Sequence, residues 1–214
     1  MSKILWGILA MAVIVLASNI LVQFLLLDGL LTWGAFTYPF AFLVTDVMNR
    51  VYGPRQARQV VFAGLFTGIV CSLIGSQISL QGDGYVYQAV ALRVAIGSAC
   101  AFLVAQLLDI LIFNRLRNGS WWRAPIISSV VSSSIDTVLF FSIAFSASLS
   151  FGESADSEIS WAWEQVPLLL FGNDAPLWVS LAIADWGVKI AISLIALIPF
   201  RLIVGQLLAT RTTY

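Results

Sequence analysis

The chain has 214 residues, 60% of them hydrophobic and only 10% charged, with 11 basic and 11 acidic side chains, two cysteines and no histidine. A mean hydropathy of +0.94 lies far outside the soluble globular range and marks a polytopic membrane protein. The missing histidine excludes His-based triads, the usual zinc sites and His proton relays. No CxxC, GxxxxGK[ST] or GxGxxG occurs, so redox, ATPase and dinucleotide chemistry have no support.

A bilayer core takes roughly 20 apolar residues. Six runs of that kind are present: Ile4 to Leu27, Leu30 to Met48, Val60 to Leu80, Ala89 to Phe113, Ala124 to Leu149 and Pro176 to Arg201. The expectation is an all-α membrane protein, one domain of six transmembrane helices over residues 1–214. The first run is too long for a signal-peptide core and lacks a small-residue cleavage site, so it reads as a retained span. It carries Ser18, Asn19 and Gln23. Two amides at i, i+4 either bond neighbouring helices or reach a ligand.

The second span runs into a longer organising stretch, TWGAFTYPFAFLVTDVMNRVYGPRQAR, over Thr32 to Arg58. Pro39 lacks an N–H and clashes with the carbonyl four residues back, so a helix through Tyr38 and Pro39 must kink or break. Such a break exposes backbone groups to a small ligand, with Trp33, Phe36, Tyr38 and Phe40 as flat walls around it. Asp46, Asn49 and Arg50 follow at i, i+3 and i+4 on one face.

In the third span Gly64, Gly68, Ser72 and Ser76 form a small-residue ladder suited to close packing. The fourth repeats the device with Gly97, Ala101 and Ala105. Arg93 precedes that ladder, and Gln106 and Asp109 follow it. Arg93 and Asp109 lie roughly 24 Å apart along the axis, so each needs its own partner. Cys71 and Cys100 fall inside spans and read as small buried hydrophobes with no disulfide.

The loop FNRLRNGSWWRAP is short and basic, with Trp121 and Trp122 at the depth of an interfacial aromatic belt. In the fifth span Ser129, Ser132, Ser133 and Asp136 make one polar stripe, opposite Val130, Val131, Ile135 and Val138. Residues 150–175 form one long connection mixing acids with Trp161, Trp163 and an apolar run. It reads as an amphipathic element at the outer interface, either structural or a lid. The sixth span carries Asp185 and Lys189 at i, i+4. That spacing suits a self-neutralising pair, yet four aspartates enter the membrane against Arg93 and Lys189 alone. With Lys189 next to Asp185, Asp136 is expected to lack a cation and to line a cavity, braced by Thr137 and Ser133.

Loop charges separate by sign. Lys3, Arg50, Arg55, Arg58, Arg115, Arg117, Arg123, Arg201 and Arg211 fall on one side, and Asp28, Asp83, Glu153, Asp156, Glu158, Glu164 and Asp174 on the other. Basic loops stay cytoplasmic, which predicts both termini inside. No internal repeat is evident.

Several motifs together resemble the bacterial queuosine-precursor transporter family, also called vitamin-uptake-like and similar to the membrane S-components of energy-coupling-factor transporters. They are Ser18-Asn19 with Leu21-Val22-Gln23, TWGAF, and PFxFLxTDxxxRxxG from Pro39 to Gly53. Further along come Ala57-Arg58, Arg93, QLLDxxxFNRLR from Gln106 to Arg117, and Trp121-Trp122 with Ala124-Pro125. SxxDTxxFFxIAF from Ser133 to Phe145 and DxxxK from Asp185 to Lys189 complete the set. The connection between the fifth and sixth spans is longer than the family pattern. The resemblance implies an S-component-like bundle in the bacterial inner membrane that imports 7-cyano-7-deazaguanine and 7-aminomethyl-7-deazaguanine for tRNA modification, with no cofactor and no enzyme activity.

Candidate substrate-binding residues are Asp136, Asp46, Asn19, Gln23, Trp33, Tyr38, Arg93, Gln106, Asp109, Asp185 and Lys189. A carboxylate can accept the adjacent N–H and amino groups of a guanine-like edge, and an amide or guanidinium can serve its carbonyl. The partners expected are a small purine-like substrate and the lipid bilayer, with no nucleic acid and with room for a homo-oligomer. A different reading is a substrate-binding subunit that depends on a separate ATPase module. An intramembrane lipid enzyme is weaker still, because no DDxxD-type acids or Ser-His pair are present.

Overall fold

The fold is given by a computed structural model that describes residues 2–21, 25–26, 31–82 and 85–212. The α-helices of the described residues run in the order α1 (Ser2–Leu21), α2 (Trp33–Thr37), α3 (Phe40–Tyr52), α4 (Pro54–Gly75), α5 (Leu92–Leu116), α6 (Arg123–Phe145), α7 (Glu153–Ser157), α8 (Leu177–Ile195) and α9 (Leu197–Thr212). Among the described residues, five of them, α1, α4, α5, α6 and α8, are long and apolar enough to cross a membrane. Their outward faces carry large apolar side chains such as Phe66, Val138 and Ile195, each more than 60% exposed, as lipid contact requires.

The second and sixth expected spans are not single helices. At Pro39 the chain replaces i→i−4 bonds with tighter ones, Ala41 N to Tyr38 O at 2.9 Å and Phe42 N to Pro39 O at 3.1 Å. This separates α2 from α3, as the proline predicts. The sixth run divides at Ala196 into α8 and α9, the latter a shorter apolar helix. Its cause is Pro199, which has no N–H for the Ile195 carbonyl and whose ring crowds that carbonyl. The unbroken apolar run around this second proline is what makes the sequence read as one span.

Connections at the two ends differ in kind. On the acidic side the chain turns through short antiparallel ribbons: β1 (Leu25–Leu26) with β2 (Leu31–Thr32), β3 (Ser79–Gly82) with β4 (Tyr85–Gln88), and β5 (Gln165–Pro167) with β6 (Asp174–Pro176). On the basic side the turns are tight. Gly53 closes α3 with φ +93° and its N–H on the Met48 and Asn49 carbonyls, and Pro54 then opens α4. That is the glycine-after, proline-first asymmetry of helix ends. The Arg50 guanidinium donates to the Arg117 carbonyl, and Arg117 Nη2 returns a bond to Arg50 O at 3.3 Å, tying two basic turns together. Arg201 stacks over Trp121, 4.8 Å from the ring centroid, at the same end.

The long connection at 150–175 is not one amphipathic helix. It comprises α7, a 3₁₀ turn at Ser160–Trp163 and the β5–β6 ribbon. Ile159 and Ala162 pack under it against Phe141, Ala144 and Phe145, and Trp163 Nε1 donates to Phe145 O at 2.7 Å. Neither Cys71 nor Cys100 forms a disulfide, as expected, but the expectation that both are buried fails: Cys71 is half-buried and Cys100 faces outward.

The small-residue ladders pack as their spacing predicts. α1 lies across Gly64 and Gly68 of α4, and α6 lies against Gly97 of α5. A Cβ on Gly97 would sit 3.2 Å from the Phe140 carbonyl oxygen and 3.3 Å from the Ala144 backbone nitrogen, atoms that cannot rotate away. Gly97→Val should therefore destabilise the bundle by about 2 kcal/mol. Gly68→Ala meets only Val15 Cγ1 at 3.4 Å and should be neutral or gain up to about 1 kcal/mol from helix propensity. Thermal unfolding in detergent checks the contrast.

Candidate functional site

The serine stripe of α6 faces inward. Ser129, Ser132, Ser133 and Asp136 are each at most 5% exposed, whereas Val131, Ile135 and Val138 face outward. Polar groups placed in an apolar bundle must find partners there. They do so in two layers, about 10 Å apart along α6 at 1.5 Å per residue between Ser129 and Asp136.

The middle layer joins α6, α8 and the Pro39 break. Lys189 Nζ lies 2.8 Å from Asp136 Oδ2 and 2.5 Å from Asp185 Oδ2, and it also donates to Thr137 Oγ1 at 3.1 Å. Thr137 Oγ1 in turn donates to Asp185 Oδ2 at 3.1 Å. Tyr38, just before the break, donates its hydroxyl to Asp136 Oδ1 at 3.0 Å, and its ring lies under the ammonium at 5.4 Å. Asp136 is thus paired, contrary to expectation, because Lys189 reaches across to α6 while still holding Asp185 one turn away. The expected bracing of Asp136 by Thr137 and Ser133 is not seen: Thr137 bonds Lys189 and Asp185, and Ser133 donates to the Val130 carbonyl. One ammonium serves two carboxylates, so the layer keeps one negative charge in excess when both are ionised. Asp185 has a side chain 15% exposed and uses only Oδ2, which leaves Oδ1 without a hydrogen bond among the described residues.

The inner layer lies where α3, α5 and α6 meet. Asp46 is approached by Ser129 Oγ at 3.3 Å and Ser128 Oγ at 3.4 Å, and Thr45 donates to Gln106 Oε1 at 2.6 Å. Asn49 Nδ2 donates to Ile110 O at 3.1 Å. Thr45, Asn49, Gln106, Asp109, Ser128 and Ser132 are all completely buried. The sequence signals for the residues not anticipated here, Thr45 and Ser128, are their places beside Asp46 and one turn before Ser132.

The other candidates lie apart. Arg93 is fully buried at the acidic end, where it binds the carbonyls of Ile143 and Ser146 and pairs with Asp156 Oδ1 at 2.8 Å, with the Phe151 ring 5.2 Å away. It thereby caps the C-terminus of α6 and pins α7 to it, since a guanidinium there satisfies orphan carbonyls. Asn19 bonds the Val15 carbonyl of its own helix, and Trp33 is half exposed beside Phe36. Gln23 lies outside the described residues.

The family model described as "Putative vitamin uptake transporter" matches residues 32–204. The chain belongs to this transporter family. A "Queuosine precursor transporter" of Escherichia coli is 30% identical over 96% of the chain and 88% of that protein. A "Probable queuosine precursor transporter" of Haemophilus influenzae is 39% identical over 63% of the chain and 58% of that protein, so the match spans less than two thirds of the latter. One of the same description in Bacillus subtilis is 27% identical over 78% of the chain and 68% of that protein. No solved structure matches the chain. Within the vitamin uptake transporter match fall both polar layers, the Pro39 break and Arg93, whereas Asn19 and Gln23 precede it.

Both charge clamps can be tested by stability. Lys189→Met strands two buried carboxylates and should cost about 3 to 5 kcal/mol, whereas Asp185→Asn leaves the Lys189–Asp136 pair intact and should cost far less. Combining Asp185→Asn with Lys189→Met should not restore stability, because Asp136 remains uncompensated; a thermal-unfolding cycle measures this. At the acidic end, hydrogen bonds from Ser150 and the Phe151 amide, with help from Arg93, hold the Asp156 carboxyl below its ordinary range. Its contribution should be fully present above about pH 4 and be lost as pH falls through the lowered value. Hydrogen exchange of residues 150–163 should rise only in that acid window.

Proposed function

We propose that the chain imports 7-deazaguanine bases, namely 7-cyano-7-deazaguanine and 7-aminomethyl-7-deazaguanine, across the bacterial inner membrane, and that the middle layer binds them. Family membership supports the class of activity, and the names carried by its relatives support the class of solute. The observation that carries the assignment of the site is the sharing of one ammonium by two carboxylates, with Asp185 Oδ1 unbonded among the described residues at a partly exposed edge. A guanine-like base offers an N–H and an amino group side by side, which a carboxylate accepts with both oxygens. Lys189 would donate to the ring carbonyl, and Tyr38 beside the break supplies a flat wall. The excess negative charge also suits the cationic aminomethyl base.

In this reading the basic end is cytoplasmic and both termini lie there, as the positive-inside rule predicts. The inner layer, fully buried, is the closed side, and separation of α3 from α6 would open it.

Labelled deazaguanine uptake, in cells unable to make these bases and lacking any energising ATPase module, tests the proposal. Uptake should depend on this chain. Asp185→Asn replaces one acceptor with a donor and should lower apparent affinity about 10- to 100-fold, the equivalent of roughly 1.5 to 3 kcal/mol, while protein abundance in the membrane stays unchanged. Equal uptake by wild type and Asp185→Asn would overturn the site. Uptake only with a separate ATPase module would make the chain a binding subunit.

A further inference from the structure

In the inner layer, Asp46 on α3 and Asp109 on α5 share one seam: Thr45, beside Asp46, bonds Gln106, one turn before Asp109, and Asn49, one turn after Asp46, bonds the carbonyl of Ile110, next to Asp109. Both are at most 3% exposed. Carboxylates are acceptors only, so two of them in one buried seam can bond each other only when one carries a proton. Among the described residues neither oxygen of Asp109 has a hydrogen-bond partner, and Asp46 has only two hydroxyls at 3.3 to 3.4 Å.

Among the described residues no cation relieves the pair. On α3, the Arg50 guanidinium donates to the Arg117 carbonyl, and Tyr52 lies beyond it in the last turn. On α5, Arg93 is held by Asp156 and Arg115 is exposed; on α4, Arg55 and Arg58 are exposed and Cys71 is uncharged. On α6, Arg123 is exposed and Asp136 belongs to the middle layer with Tyr38, Asp185 and Lys189. On α9, Arg201 covers Trp121, and the described side chains of α1 include no titratable group. Two bare carboxylates buried in one seam without a cation would repel strongly at low dielectric.

A second observation points to a ligand at the same place. Gln106 Nε2, Asn49 Oδ1 and Ser132 Oγ are buried without partners among the described residues. Gln106 is tied to Thr45, the residue before Asp46, and Asn49 to the carbonyl of Ile110, the residue after Asp109, so both amides lie in the seam that holds the pair. A narrow cleft lined by Pro39, Asp46, Pro125, Ser129 and Ala196 reaches Asp46 from between the two helix breaks. The site therefore has donors and acceptors to spare and a path to one of its carboxyls.

We propose that Asp46 and Asp109 together bind one proton, and that this proton is the ion that drives transport. It adds to one carboxylate to give a carboxylic acid whose O–H donates to the other. It leaves to water when α3, α5 and α6 separate on the basic side, which restores two carboxylates. The coupling half of the proposal rests on the transport reading above, and the binding half does not.

The test uses the full chain in liposomes. Infrared spectra should show the C=O stretch of a protonated carboxylic acid at neutral pH in the wild type, lost in both Asp46→Asn and Asp109→Asn. An inward pH gradient should drive 7-cyano-7-deazaguanine, a neutral probe, to about tenfold accumulation per pH unit for one proton. A wild type with no such band, or a band that persists in both variants, would overturn the site. Accumulation driven by a sodium gradient and indifferent to pH would overturn the proton as the driving ion. Loss of all counterflow exchange in wild type, with the band present, would count against the transport reading and leave the bound proton standing.

Discussion

A single ammonium, Lys189, holds two carboxylates from different helices in the middle of an apolar bundle. Each ion there carries a desolvation penalty of several kcal/mol, which only close opposite charge and complete hydrogen bonding can offset. Thr137 and the Tyr38 hydroxyl supply most of that bonding, and Asp185 Oδ1 alone of these carboxylate oxygens is left without a partner among the described residues. The geometry thereby fixes three things at once: the rotation of α6, the height of α8 and the position of the Pro39 break. The imbalance of charge is as important as the attraction. Two acids on one base leave one negative charge without a partner when both are ionised.

The rest of the architecture permits that layer to exist. Two prolines, Pro39 and Pro199, break helices, and the narrow cleft lies between the two breaks. Glycines 64, 68 and 97 allow backbones to approach, which seals the bundle around the polar groups. Arg93 closes the acidic end by gathering the last carbonyls of α6 and the first helix of the outer connection. Apolar clusters under that connection and around Phe113 and Phe200 flank the polar layers at both ends. Water is thus excluded from Asp136 and Lys189, and Asp185 alone of the three keeps a partly exposed side chain.

Much of this is legible from the chain. Hydropathy locates the membrane-crossing runs, Pro39 announces the break, and the i, i+3, i+4, i+7 spacing of Ser129, Ser132, Ser133 and Asp136 shows which face of α6 turns inward. Those signals are local, and local signals survive in a sequence. Contacts between helices do not. Asp185 and Lys189 are one turn apart and suggest a closed pair, but nothing in their spacing shows that the ammonium also reaches Asp136, 53 residues away. The same holds for Arg93, grouped with ligand-binding residues by its charge yet spent on Asp156 and two carbonyls across 50 to 63 residues. Pro199 is a local signal too, but the apolar run that continues through it hides the break. The ribbons at the acidic end have too few residues to show a period of two.

The central claim is that the base sits against the Lys189 carboxylates. A structure of the protein with 7-cyano-7-deazaguanine bound tests it most directly. The account predicts the base between the Pro39 break and α8, its amino edge on Asp185 and its carbonyl toward Lys189. A base found instead among Asp46, Gln106 and Asp109, with the Lys189 cluster unchanged, would contradict it.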